Sequence, residues 1–143
     1  MFGIDIETTG LSLDDEIRLV QISNGDTTGV IDVKTTDPRP VLEEFAEAEL
    51  VAHNASFEEA RLKKHFGIEF LRPMHDTMVM SQVLYGGTIK AQSMSHTLEE
   101  VAMRELGVPL NKELQTPRLG QPRALGRTVG VRRKGRRDHG API

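Results

Sequence analysis

Three carboxylates are the residues of this chain whose type and spacing could do chemistry. Asp5 and Glu7 stand at i and i+2 in Phe2-Gly3-Ile4-Asp5-Ile6-Glu7. On a strand that spacing sends both side chains to one face, where they can converge on a divalent cation. An isolated Asp-x-Glu on an edge strand is an ordinary solvated pair. Here the neighbours are apolar, as in a central strand, and Thr8-Thr9-Gly10 turns the chain directly after the acids, which puts them at a rim. Like charges drawn out of water require a counter-ion. Glu58, in His53-Asn54-Ala55-Ser56-Phe57-Glu58, falls in the first turn of a helix that leaves a short strand near the same rim. A carboxylate there is also a plain helix-dipole partner worth about 0.3–1 kcal/mol, and Glu59 fills that role equally well. His53 reads as a packed or rim residue rather than a ligand, and Asp76, just before Thr77 at a helix start, as an N-cap.

The elements that must hold these residues follow from periodicity. Residues 2–7 alternate apolar and polar, and two further β-rich runs at 17–23 and 29–33 flank Asn24-Gly25-Asp26, a strong hairpin signal, so a three-stranded antiparallel meander is expected. Residues 37–49 predict a helix with Asp37 as cap and Pro40 in its first turn. Residues 50–53 predict a fourth strand, and 54–66 a helix with Ser56 and Glu59 as a capping box and Gly67 as its stop. Two more helices are expected at 76–84 and 97–106. The second carries a capping box at Thr97 and Glu100 and a buried stripe of Leu98, Val101, Ala102 and Leu106. The order β-β-β-α-β-α-α-α favours an α/β fold, a mixed sheet with helices packed on it.

Composition excludes several classes. The 143 residues include no cysteine, which removes a disulfide scaffold, a thiolate metal site and a catalytic thiol. No apolar run approaches the roughly 18–20 residues of a membrane span, and no signal-peptide pattern opens the chain, so a cytoplasmic protein with no membrane partner is expected. The formal charge of −3 averages two unlike parts. Residues 1–116 hold 10 Lys and Arg against 20 Asp and Glu, whereas residues 117–143 hold 8 against 1. Seven arginines, five glycines and three prolines in that second stretch leave no apolar period, and it is expected to be a disordered tail outside the core.

Two motifs now carry a resemblance. FGIDIETTGL at residues 2–11 resembles the first motif of the DEDD superfamily of 3′-5′ exonucleases, and HNASFEEARL at 53–62 resembles the second. HDTMVMSQVL at 75–84 and HTLEEVAMRELGVPLNKELQT at 96–116 are similar to the intervening segments of one branch. That branch contains ribonuclease D, the Werner-type exonuclease and the proofreading domain of family A DNA polymerases. The resemblance implies a 3′-5′ exonuclease domain over residues 1–116 with a ribonuclease H-like fold, incomplete at its C-terminus. It also implies phosphodiester hydrolysis with two Mg²⁺ or Mn²⁺ ions about 4 Å apart. Asp5 and Glu7 match the first-motif ligands. Glu58 stands where the family has aspartate, keeping the charge but reaching one methylene further. Asn54 and Phe57 match positions beside the terminal nucleotide, and Thr8 and Leu11 match those that contact its phosphate and base. Asp76 matches a position that is not a ligand, so its capping role stands. Implied partners are single-stranded or frayed 3′ ends of DNA or RNA, with polymerase association in the intact family.

The branch also has a third motif, Tyr-x-x-x-Asp, which this sequence lacks: Tyr85, the only tyrosine, is followed by Ile89 four places on. The match stops at Thr116, where the charge changes, and that coincidence points to a reading-frame error. Gly126 to Arg137 can be encoded so that the frame one base later reads A-E-Q-L-A-Y-A-A-K-D-V, which restores the missing motif. Arg118-Leu119-Gly120 in the same shifted frame can read Asp-Trp, as relatives do there. The expected product is an exonuclease with impaired turnover. A non-catalytic nucleic-acid-binding module using the arginine-rich tail is the alternative. A product that never folds stably is the third reading. Loss of a final helix predicts an exposed apolar patch.

Overall fold

The computed structural model describes residues 1–88 and 93–110. The opening alternation forms β1 (Phe2–Thr8), which buries Ile4 and Ile6 and sends Asp5 and Glu7 to the other face. β2 (Ile17–Ser23) pairs with it antiparallel, placing Gln21 opposite Asp5, with a register shift between Glu7 and Thr8 where the strand ends. β3 (Thr28–Asp32) completes the expected meander. The connecting turn is built as its residues dictate: the Asn24 side-chain oxygen accepts from the N–H groups of Asp26 and Thr27, and Gly25 takes φ +95° at no steric cost.

Next come α1 (Arg39–Glu44), β4 (Leu50–Ala52), α2 (Ala55–Phe66), a two-residue strand β5 (His75–Asp76), α3 (Thr77–Tyr85) and α4 (Leu98–Leu106). β4 lies parallel to β1 and β5 parallel to β4, so the sheet runs β3-β2-β1-β4-β5 and β1 is central, as its apolar neighbours implied. This is the mixed sheet with helices expected of the sequence. Strand β5 was not expected, because two residues cannot show a period.

Two helix expectations are corrected. α1 is shorter than residues 37–49. Asp37 is spent on the N–H and guanidinium of Arg39 rather than on a cap, and Phe45, just past the helix, turns its ring edge-on to Phe2 at 5.0 Å. On α4 only Ala102 of the expected stripe is buried. Val101 is half-buried, while Leu98 and Leu106 are 42% and 75% exposed, because nothing among the described residues covers that side. The core itself is one cluster in which Ile4 and Ile6 of β1, Val20 of β2, Leu50 of β4, Leu42 of α1 and Leu62 of α2 meet. Residues 1–110 form one unit and 111–143 another; the boundary expected at Thr116 and the basic tail lie outside the described residues.

Candidate active site

The carboxylates are positioned by the central strand and by the N-terminus of α2. The β4–α2 junction turns through Asn54, whose φ of +71° is left-handed, a conformation asparagine tolerates better than most residues. The expected capping box is absent. The helix begins with Asn54 in the N-cap position, so Ser56 lies inside its first turn and cannot cap it; the Asp76 carboxylate instead accepts from the N–H groups of Asn54 and Ala55 at 3.0 and 2.8 Å. Glu59 turns away to accept from the Met74 N–H. Asp76 also caps α3, accepting from Met78 and Val79, which is the role its sequence context predicts. Burial works against its charge, but these four donors outweigh it and hold its pKa below the ordinary value. Asp76 thus joins two helix starts and β5, and fixes the turn from which Glu58 projects.

Glu58 is 3% exposed and its Oε2 has no hydrogen-bond partner. Burial, with the charges of Asp5 and Asp76 adding to it, pushes its carboxyl up to about 7 against the opposing pull of its own N–H and of Arg61. Asp5 opens to solvent, yet enough protein crowds its carboxylate that desolvation raises its pKa. The carboxyl of Glu7, half-buried, is raised by desolvation and by Asp5. Asp5, Glu7 and Glu58 offer only carboxylate oxygens, each with its pKa raised and one with an unpartnered buried oxygen, and oxygen donors are what hard divalent cations take. That chemistry fits Mg²⁺ or Mn²⁺. Among the described residues no three acidic or histidine side chains close on a common point.

The sequence-predicted neighbours lie around this edge. Thr8, at the end of β1, donates its hydroxyl to the Gly10 carbonyl at 2.6 Å, tightening the turn. Leu11 follows with its side chain 88% exposed. Phe57 is half-buried on α2, and the Asn54 side-chain oxygen accepts from the Ser56 hydroxyl at 3.2 Å. His53 is the packed rim residue it was read to be: Nε2 donates to the His96 carbonyl and Nδ1 meets the Thr77 hydroxyl, both at 2.9 Å.

The family model for 3′-5′ exonucleases matches residues 1–127 of this sequence, running past Thr116, where the resemblance was expected to stop. The chain belongs to that family. DNA polymerase I of Aquifex aeolicus is 34% identical over 114 residues, which is 79% of this exonuclease chain but 18% of the polymerase. Among solved structures, Brucella melitensis NrnC bound to pGG is 29% identical with a TM-score of 0.65, covering 78% of this chain and 54% of NrnC. The same protein with bound Mg²⁺ is 28% identical, with the same TM-score, over 77% of this chain and 55% of NrnC. Escherichia coli RNase D, at 21% identity and a TM-score of 0.64 over 87% of this chain and 32% of its own, shares the ribonuclease H-like fold. The exonuclease chain therefore spans about half of NrnC and under a fifth of the polymerase. No helix among its described residues is long and apolar enough to cross a membrane.

Two residues beside the candidate carboxylates are not singled out by the sequence. Gln21 donates to Asp5 Oδ2 at 3.3 Å from the neighbouring strand. The signal was its place opposite Asp5, which only the register of the β1–β2 pairing reveals. Arg61 is buried beside Phe57, where helical spacing predicts an apolar residue, and its charge is the anomaly that could have marked it.

Proposed function

We propose that this chain is a 3′-5′ exonuclease domain that hydrolyses phosphodiester bonds from the 3′ end of DNA or RNA by a two-metal mechanism. Asp5, Glu7 and Glu58 would hold the Mg²⁺ or Mn²⁺ ions. The observation that carries the reading is Glu58: a buried carboxylate with an unpartnered oxygen, facing the charge of Asp5 and pushed up to about 7. A divalent cation is one partner that would favour the charged form of such a group. When bound, such ions supply an activated water and neutralise charge on the leaving 3′-oxygen.

The chain's own residues do the positioning. Asp5 and Glu7 present oxygens from a central strand that cannot shift without breaking the sheet, and Gln21 orients Asp5. Leu11 and Phe57 offer apolar surface to the terminal base, with Thr8 and Asn54 as polar contacts to the same nucleotide. NrnC bound to pGG and NrnC with bound Mg²⁺ support a nucleic-acid 3′ end as substrate and a divalent cation as cofactor. The likeness to DNA polymerase I supports association with a polymerase, and a nucleic-acid substrate is compatible with the cytoplasmic location expected from the sequence.

Turnover is severely reduced, because the sequence has no Tyr-x-x-x-Asp to orient the water and complete the carboxylates. Residues 117–143 are the product of a one-base frame displacement near Thr116. A second reading, a nucleic-acid-binding module without turnover, is favoured by the eight basic residues against one acid in that stretch.

The test is Mn²⁺ binding by calorimetry, together with release of nucleotides from a 5′-labelled oligonucleotide. This chain, its Asp5→Ala variant and a frame-restored chain would be compared. Mn²⁺ binding lost in Asp5→Ala, with rapid nucleotide release only after frame restoration, is the expected result. Nucleotide release at a normal rate by this chain would end the impairment reading, and Mn²⁺ binding unchanged in Asp5→Ala would end the site assignment. Nucleic-acid binding lost on deletion of residues 117–143, with no release after frame restoration, would favour the binding module.

A further inference from the structure

Arg61 is 6% exposed, and no carboxylate among the described residues pairs with it. Burying a guanidinium with no carboxylate at ion-pair distance, only the longer-range attraction of Glu58, is expensive, and a methionine or leucine would serve the packing of α2 at lower cost. What the planar fork gains is specific. Nη2 donates to the carbonyl of Leu11 at 2.6 Å, reaching fifty residues back along the chain, and Nη1 donates to the Phe57 carbonyl at 3.4 Å. The guanidinium carbon lies 3.4 Å from the centroid of the Phe57 ring, a close cation–π stack. Lys64 pairs with Asp14, and the carbonyl of Leu13 accepts from His65 Nε2 at 3.1 Å, so the same helix face holds the rest of the turn. That turn keeps Leu11 in solvent although its carbonyl is fastened.

We propose that Arg61 is a positioning residue for the terminal nucleotide, locking the Leu11 turn to the Phe57 ring so that the two apolar surfaces offered to the base stand at a fixed separation. This rests on the reading of Leu11 and Phe57 as nucleotide contacts. The fork, and not the charge alone, is what the role uses: one nitrogen serves each carbonyl while the plane lies flat on the ring, a set of contacts that a lysine ammonium cannot reproduce.

The experiment uses the full chain with Arg61→Met, which keeps an apolar stem, and Arg61→Lys, which keeps the charge. Amide exchange over residues 9–16 is measured first and needs no substrate. Exchange in that turn should accelerate at least tenfold in both variants, while the β1–β2 amides keep their protection. A short oligonucleotide with 2-aminopurine at its 3′ end, in Ca²⁺, then reports stacking of the terminal base. Quenching by the unaltered chain should be lost in both variants and affinity for the oligonucleotide should fall about tenfold. Unchanged exchange in Arg61→Met overturns the proposal, and so does full restoration by Arg61→Lys. If exchange responds as expected but the unaltered chain quenches no probe, the nucleotide-contact reading of Leu11 and Phe57 fails, and the role given to Arg61 fails with it.

Discussion

The acid-bearing edge and the α3–α4 pair are built on opposite plans. At the edge, backbone ladders carry the load: β1 is paired on both sides, Asp76 ties β5 to two helix starts, and apolar side chains point inward to one core. Between α3 and α4 the contacts are polar. Arg104 donates to the Ser81 hydroxyl at 2.7 Å and lies over the Tyr85 ring, Ser81 meets His96 Nδ1 at 2.8 Å, and the Tyr85 hydroxyl donates to Glu105 at 2.7 Å. The apolar side chains Val79, Met80, Val83 and Leu84 of α3, and Met103 and Leu106 of α4, face solvent. The difference teaches that the carboxylate edge is over-determined, whereas the helix pair holds its shape with little of the apolar burial that normally fixes a helix, Ala102 being its one buried apolar side chain among the described residues.

Substitution can sharpen this contrast or break it. Leu62→Ala, at a fully buried core position shared by α2 and the sheet, should cost about 2–5 kcal/mol in a urea melt. A loss below 1 kcal/mol would mean the edge is no better packed than the helix pair. Asp76→Ala removes the acceptor of four backbone N–H groups and should cost about 2 kcal/mol, with α2 and α3 fraying together in amide exchange. Fraying confined to α3 would break the claim that Asp76 fixes the turn bearing Glu58.

The Glu58 carboxyl holds its proton up to about pH 7 when folded but releases it in the ordinary carboxylate range when unfolded. The folded state therefore binds the extra proton between those values, so stability is highest below that window and falls as pH rises through it. Glu58→Gln should flatten this slope and raise stability at pH 8 by about 1 kcal/mol, while Mn²⁺ stabilises the parent only. A parent Tm that does not fall between pH 5 and 8 would contradict the state assigned to Glu58. The smallest effect belongs to the helix pair: Val83→Ser, at a side chain 74% exposed, should change stability by less than about 0.5 kcal/mol while lowering binding of a hydrophobic dye. A loss comparable to that of Leu62→Ala would show that the face is covered in solution.

Several features were legible without coordinates. The alternation at Ile4-Asp5-Ile6-Glu7 placed both acids on one face of a strand, Asn24-Gly25 marked the hairpin, and Asp76 before Thr77 marked a cap. These rest on local rules, a period of two or a side chain reaching its own neighbours, which a sequence displays directly. The motifs at residues 2–11 and 53–62 likewise carried the family.

What only the tertiary structure decided involves residues distant in the chain. Asp76 capping α2 from twenty-two residues away, Gln21 reaching Asp5 across the β1–β2 register, and Arg61 grasping the Leu11 carbonyl leave no local period to read. The fate of the α4 stripe was decided in the same way. Amphipathic spacing at Leu98, Val101, Ala102 and Leu106 states which side of a helix is apolar, but burial needs a partner surface, and among the described residues that side has only Ala102 covered. Sequence alone determined which groups could do chemistry and on what elements they sit. The folded arrangement decided which of them share charge, solvent and hydrogen bonds, because those quantities depend on distances through space rather than along the chain.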